Sequence, residues 1–105
     1  MTDRKAQYQE AFGAFARGDL KASVMGYEAL VAEAPDFALA FQGLAEVYSR
    51  LGQLDNAIAA IRRAIELEPA ESLYHTSLSR FLQRQGRIPE AEEASAVAAR
   101  MNASR

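Results

Sequence analysis

Cysteine is absent from the 105 residues. That removes disulfides, thiolate metal sites and cysteine nucleophiles together, and it agrees with a reducing compartment. Histidine occurs once, so a metal centre has neither a thiolate nor a second imidazole to draw on. A basic excess is also missing. The formal net charge is -2 and the pI is about 5.4, whereas a nucleic-acid binder needs surplus cations to displace counterions from phosphates. No apolar run approaches membrane-spanning length, and no signal core follows Met1-Thr2-Asp3-Arg4-Lys5. The glycines stand singly, so no phosphate-cradling loop is present. These absences point to a cytoplasmic protein with no membrane or nucleic-acid partner, no metal and no cofactor.

What is there is an ordinary globular composition. Half of the residues are hydrophobic and a quarter are charged, enough apolar surface to offset the entropy of ordering one domain. The chain is also periodic. Gly18-Asp19-Leu20, Gly52-Gln53-Leu54 and Gly86-Arg87-Ile88 repeat glycine, polar, branched aliphatic at intervals of 34 residues, and Pro35 and Pro69 keep the same interval. Glycine reaches left-handed backbone angles cheaply and so ends helices. Proline between helices forfeits little. The segments between these marks carry helical periodicity, which predicts six helices near residues 4–17, 20–34, 38–51, 54–67, 72–85 and 88–102, and no strand.

In the middle unit, Phe41, Leu44, Ala45 and Tyr48 stand at the spacing aromatic-x2-Leu-small-x2-Tyr. Ala57 and Ile61 follow at Ala-x3-large, and Pro69 closes the unit. A helix–turn–helix of this period and pattern resembles the tetratricopeptide repeat. The resemblance covers nearly the whole chain. It implies an all-α fold, a right-handed α-α superhelix (solenoid) of three antiparallel helix pairs. The domain is expected over 1–105, with repeats at about 4–37, 38–71 and 72–105. Small residues at Ala11, Ala45 and Ser79, and at Ser23, Ala57 and Ala91, would let paired helices approach closely. One pair cannot cover its own apolar face, so three stack.

The outer repeats depart from the middle one. Ile58, Ile61, Ile65 and Leu67 become Glu92, Ser95, Ala99 and Met101 one period later, as a terminal helix with nothing beyond it requires. The chain therefore reads as finished. Exposure of Ala94, Val97, Ala98 and Met101 would favour a homodimer through that end. In the first helix, Gln7, Glu10 and Ala14 stand where Phe41, Leu44 and Tyr48 stand later, and the rings are Tyr8, Phe12 and Phe15. One residue is about 100° of helix. Those rings either pack into the core on a rotated helix or line a groove.

Candidate chemistry is sparse. His75, one period after Phe41, is expected to pack as a large residue. Arg62-Arg63, the Glu66/Glu68/Glu71 group and Glu92-Glu93 are expected to be solvated, so no enzyme is expected. The resemblance implies instead a concave groove lined by the first helix of each pair. By period that places Lys5, Tyr8, Phe12 and Phe15 in one stripe, Leu39, Gln42, Glu46, Ser49 and Arg50 in the next, and Leu73, Thr76, Arg80, Gln83 and Arg84 in the third. The expected function is a protein–protein interaction adaptor or scaffold that holds a partner's peptide or helix on Tyr8, Phe12, Phe15, Gln42, Glu46, Arg50, Arg80 and Arg84. Its partner would carry an apolar anchor and an acidic or C-terminal carboxylate group. The alternative is an assembly module that self-associates or docks by its terminal repeat or convex face. In co-chaperones of this family, lysines, asparagines and an arginine clamp the heat-shock chaperone C-terminus. The matching places hold Tyr8, Phe12, Gly43, Leu73 and Ser77, so that partner is not expected.

Overall fold

A computed structural model of the protein describes residues 3–104. Met1, Thr2 and Arg105, inside the expected domain limits, lie outside the described residues. Six α-helices make up most of the described residues: α1 (Arg4–Ala16), α2 (Leu20–Glu33), α3 (Ala38–Arg50), α4 (Leu54–Leu67), α5 (Ser72–Arg84) and α6 (Ile88–Ala103). Each boundary falls within one residue of the sequence expectation, and no strand occurs among the described residues. The architecture is an all-α helical-repeat superhelix. Contacts run between consecutive helices, and α1 also reaches α3.

The periodic glycines show why the boundaries were legible. Gly18, Gly52 and Gly86 have φ of 81°, 78° and 79°, a left-handed conformation in which any Cβ is strained. Each closes the same two-bond motif at a helix C-terminus. At the first, Gly18 N donates to Phe15 O and Asp19 N to Ala14 O, at 3.0 and 2.9 Å. Gly52 and Gln53, then Gly86 and Arg87, repeat both bonds. At the opposite ends, the Asp3, Asp19 and Glu71 side chains accept from Lys5, Ala22 and Leu73 N–H groups.

Within each pair, the small residues do bring the helices together. Ala11, Ala45, Ala57 and Ala91 are fully enclosed. In the first pair Ser23 Oγ on α2 donates to Ala11 O on α1 at 3.0 Å. In the third, the direction reverses, and Ser79 Oγ on α5 donates to Ala91 O on α6 at 2.8 Å. Both hydroxyls are buried and satisfied, as burial demands. Between pairs, Tyr27 and Ile61 occupy equivalent places in α2 and α4, and both are buried. Their facing residues compensate for size. Gly43 meets the Tyr27 ring so closely that a Cβ there would lie 2.5 Å from Tyr27 Cζ. One period on, Ser77 takes the place of Gly43 and Ile61 that of Tyr27.

The terminal helix has the character expected of it: Glu92, Ser95 and Ala99 are exposed where Ile58 and Ile61 are buried. The expected apolar end patch needs correction. Ala94 and Ala98 are 6% and 5% exposed, and Val97 and Met101 are half-buried. Four residues offered as an adhesive end reduce to two partly covered ones. Among the described residues, no helix is long and apolar enough to cross a membrane.

Candidate partner-binding face

The first helices of the three pairs form one face, and the aromatic end of that face is built by α1. Tyr8, Phe12 and Phe15 follow at i, i+4 and i+7, so they share a side of the helix. Tyr8 and Phe12 stack with centroids 6.2 Å apart, and Tyr8 meets Tyr27 edge-on and Phe37 at a tilt, both at 5.8 Å. Tyr8 and Phe15 are half-buried and pack against the core, whereas Phe12 remains 53% exposed. The two arrangements open at the sequence level are thus combined. Tyr8 and Phe15 rest on the core, and all three rings line a surface cavity of about 230 Å³.

That cavity also draws in α3. Gln42, Gly43, Glu46 and Arg50 form its second wall, and Tyr27 of α2 lies beneath. Six of the eight residues expected from the sequence therefore meet around one hollow. Tyr27 and Gly43 were missed as lining residues. The signal for Gly43 was a glycine inside a helix with no turn to make, which marks a close approach of another group. Burial pushes the Tyr8 hydroxyl above its ordinary value, and pushes Tyr27 further in the same direction, with the neighbouring phenol adding to it. Both stay neutral donors near pH 7.

The arginines are held separately, each by a group from the preceding pair. Arg50 places its guanidinium 5.0 Å from the centre of the Phe15 ring and forms no hydrogen bond among the described residues. Arg80 bonds Glu46 at 2.7 Å and also reaches Ser77 Oγ. Arg84 donates to the carbonyl of Ser49 at 3.1 Å and to its hydroxyl. The face is consequently apolar and aromatic at α1 and cationic toward the C-terminal ends of α3 and α5. Leu39 and Leu73 are exposed at the opposite ends of those helices.

Other sequence candidates settle elsewhere. His75 is half-buried, with Nε2 3.2 Å from Pro69 O. Arg63 is not a freely solvated cation. It bonds Pro35 O and Glu66, and its guanidinium lies 6.0 Å from the Phe41 ring centre. Arg62 is exposed. No group of three metal-ligating side chains occurs among the described residues.

Residues 14–81 match the family model for the tetratricopeptide repeat. Among solved structures, a MamA chain (residue 41 to the end) from Desulfovibrio magneticus RS-1 is 27% identical. The match covers 99% of this chain and 59% of that one, with a TM-score of 0.94. The Yersinia enterocolitica type III secretion chaperone SycD, in complex with a peptide of the translocator YopD, is 22% identical. It is matched over 92% of this chain and 74% of that one at TM-score 0.90. The second tetratricopeptide domain of Spaghetti (RPAP3), bound to an HSP90 peptide, is 17% identical over 93% and 91% of the two chains at TM-score 0.89. The chain spans under two thirds of the length of the MamA chains it resembles. No curated protein sequence matches it.

Proposed function

The chain belongs to the tetratricopeptide repeat family, a protein-interaction fold, and on that premise we propose that it captures a peptide or helix of a partner protein on the face of α1, α3 and α5. The observation that carries this reading is the 230 Å³ hollow walled by Tyr8, Phe12 and Phe15 with Arg50 at its edge. A half-exposed phenylalanine beside a ready-made hollow is a place for an apolar anchor. Arg50, with its hydrogen bonds unused, is a place for a carboxylate. Arg80 and Arg84 extend the cationic end, with Glu46 and Gln42 fixing register between the two. Two proteins of the same fold hold partner peptides, as their names state, which supports the same use here. The chaperone clamp residues are not reproduced, so a heat-shock C-terminus is not the proposed ligand.

The test is co-purification from cell lysate, comparing the parent with Phe12→Ala and Arg50→Glu, each first shown by circular dichroism to be folded. A protein held by the parent and lost by both variants supports capture on this face. Partners held equally by all three place the interface elsewhere.

A further inference from the structure

A second hollow, of about 460 Å³, lies between α4 and α6 with α5 as its floor. It is separate from the proposed peptide face. On α5, His75, Leu78 and Leu82 point into it, whereas Leu73, Thr76, Arg80 and Arg84 serve the other face, about 160–240° around the helix from Leu78. Its walls are Arg62 of α4 and Ala94 and Val97 of α6.

The chain itself shows what belongs in such a hollow, because the same place exists one repeat earlier. Between α2 and α4, the floor residues equivalent to His75 and Leu82 are Phe41 and Tyr48, and both rings pack against the core there. The Tyr48 hydroxyl donates to Glu28 of α2 at 2.6 Å, and Arg63 of α4 lies over Phe41. One period later every one of these fillers is reduced or changed. Phe41 becomes His75, Tyr48 becomes Leu82, and Arg63 becomes Val97. Glu28 becomes Arg62. The imidazole of His75 is drawn to the Pro69 carbonyl. Leu78 and Leu82 remain as a buried apolar floor. Two aromatic rings and an arginine stem are missing from a site whose apolar base is retained.

We infer that this hollow receives an aromatic side chain from a segment of a partner protein, which takes the place that Phe41 and Tyr48 fill from within the second repeat. Arg62 is exposed and forms no hydrogen bond or ion pair among the described residues. Its guanidinium is the cation available to lie over the incoming ring, as Arg63 does over Phe41. On the α6 rim, Glu90 is already bound by Arg87 through both oxygens, at 2.9 and 2.6 Å, whereas Glu93, which also lines the hollow, is exposed and forms no ion pair among the described residues. The inference does not depend on the peptide face and can stand or fall apart from it.

The experiment is an NMR titration of the full chain with N-acetyl-phenylalaninamide, and with N-acetyl-leucinamide as the aliphatic comparison. The aromatic probe is expected to give saturable shifts at Leu78, Leu82, Ala94 and Val97, and to bind about fivefold more tightly than the aliphatic one. Arg62→Ala, a surface change, should erase most of that preference. The pair His75→Phe and Leu82→Tyr, which rebuilds the second repeat's filling, should abolish the shifts while the protein stays folded. Absence of saturable shifts would overturn the inference. So would equal binding of the two probes, or unchanged binding in the filled variant. Shifts confined to Phe12 and Arg50 would overturn it too, while leaving the peptide face intact.

Discussion

Gly43→Ala adds a single methyl group and is expected to destabilise the protein by about 2 kcal/mol. The added Cβ would lie 2.5, 2.6 and 2.7 Å from Tyr27 Cζ, Cε1 and Oη. Carbon atoms settle at about 3.5–4.0 Å, so the methyl intrudes by about 1 Å on three atoms. Tyr27 is 1% exposed and meets the Tyr8 ring edge-on, so its ring can withdraw only by disturbing that contact. Overpacking costs about 1–3 kcal/mol, and this overlap belongs near the top of that range. Alanine returns about 1 kcal/mol through its better helix propensity. For 105 residues the entropy of unfolding is about 0.22 kcal/mol/K, so the net loss lowers the melting temperature by about 9 °C. Thermal and urea unfolding followed by far-UV circular dichroism would measure it. Tyr27→Ile removes the obstructing ring and installs the residue found one period later at Ile61. In the double variant the overlap should vanish while the propensity gain remains, so alanine should stabilise by about 1 kcal/mol, a coupling energy of about 3 kcal/mol. A Gly43→Ala protein as stable as the parent, or a cycle with no coupling, would refute the close-contact account of this junction.

Phe12→Ala should leave stability within about 0.5 kcal/mol of the parent, because the ring is half-exposed; a loss of several kcal/mol would make it a core residue instead. Gly52 has φ of 78° and open space where a side chain would sit, so Gly52→Ala should cost about 1–2 kcal/mol of backbone strain, and Gly52→Asn measurably less; equal effects in a urea titration would deny that conformation is the cause. Burial, aided by Glu28 for Tyr48 and by Glu68 and Glu71 for Tyr74, pushes both phenols up to about 12, and it raises Tyr8 and Tyr27 as well. A raised phenol stabilises the fold fully below its unfolded value of 10.0, and that contribution is lost as the pH climbs from about 10 toward 12. In a spectrophotometric titration, phenolate absorbance should therefore develop late and together with loss of helix. Phenolate appearing near pH 10 with the helical signal intact would count against it.

Much of the fold was legible because its punctuation is local. A glycine that must be left-handed and a proline that cannot continue a helix act within a few residues, so Gly18, Gly52, Gly86, Pro35 and Pro69 betrayed the period directly. The stripes on α1, α3 and α5 followed by simple periodicity. What was not legible depends on partners distant in sequence. Arg50, Arg80 and Arg84 were expected on one face. The structure ties Arg80 and Arg84 to Glu46 and Ser49, which periodicity could place nearby but could not pair. Ala94 and Ala98 were expected to be exposed, because the outward side of α6 was inferred from substitutions alone. The structure buries both. Gly43 signalled a close approach, but only the structure shows that Tyr27 is what approaches.

The helices touch their chain neighbours and little else, and this has a kinetic consequence. Contacts between neighbours close only short loops, so the chain should fold quickly for its size and should open from its ends inward. Amide exchange is then expected to grade from fast in α1 and α6 to slow in α3 and α4. The proposed peptide face runs across α1, α3 and α5. A ligand lying along it would tether the fraying first pair to the slow-exchanging middle, so its arrival would be recorded most strongly in the hydrogen exchange of α1 and α2.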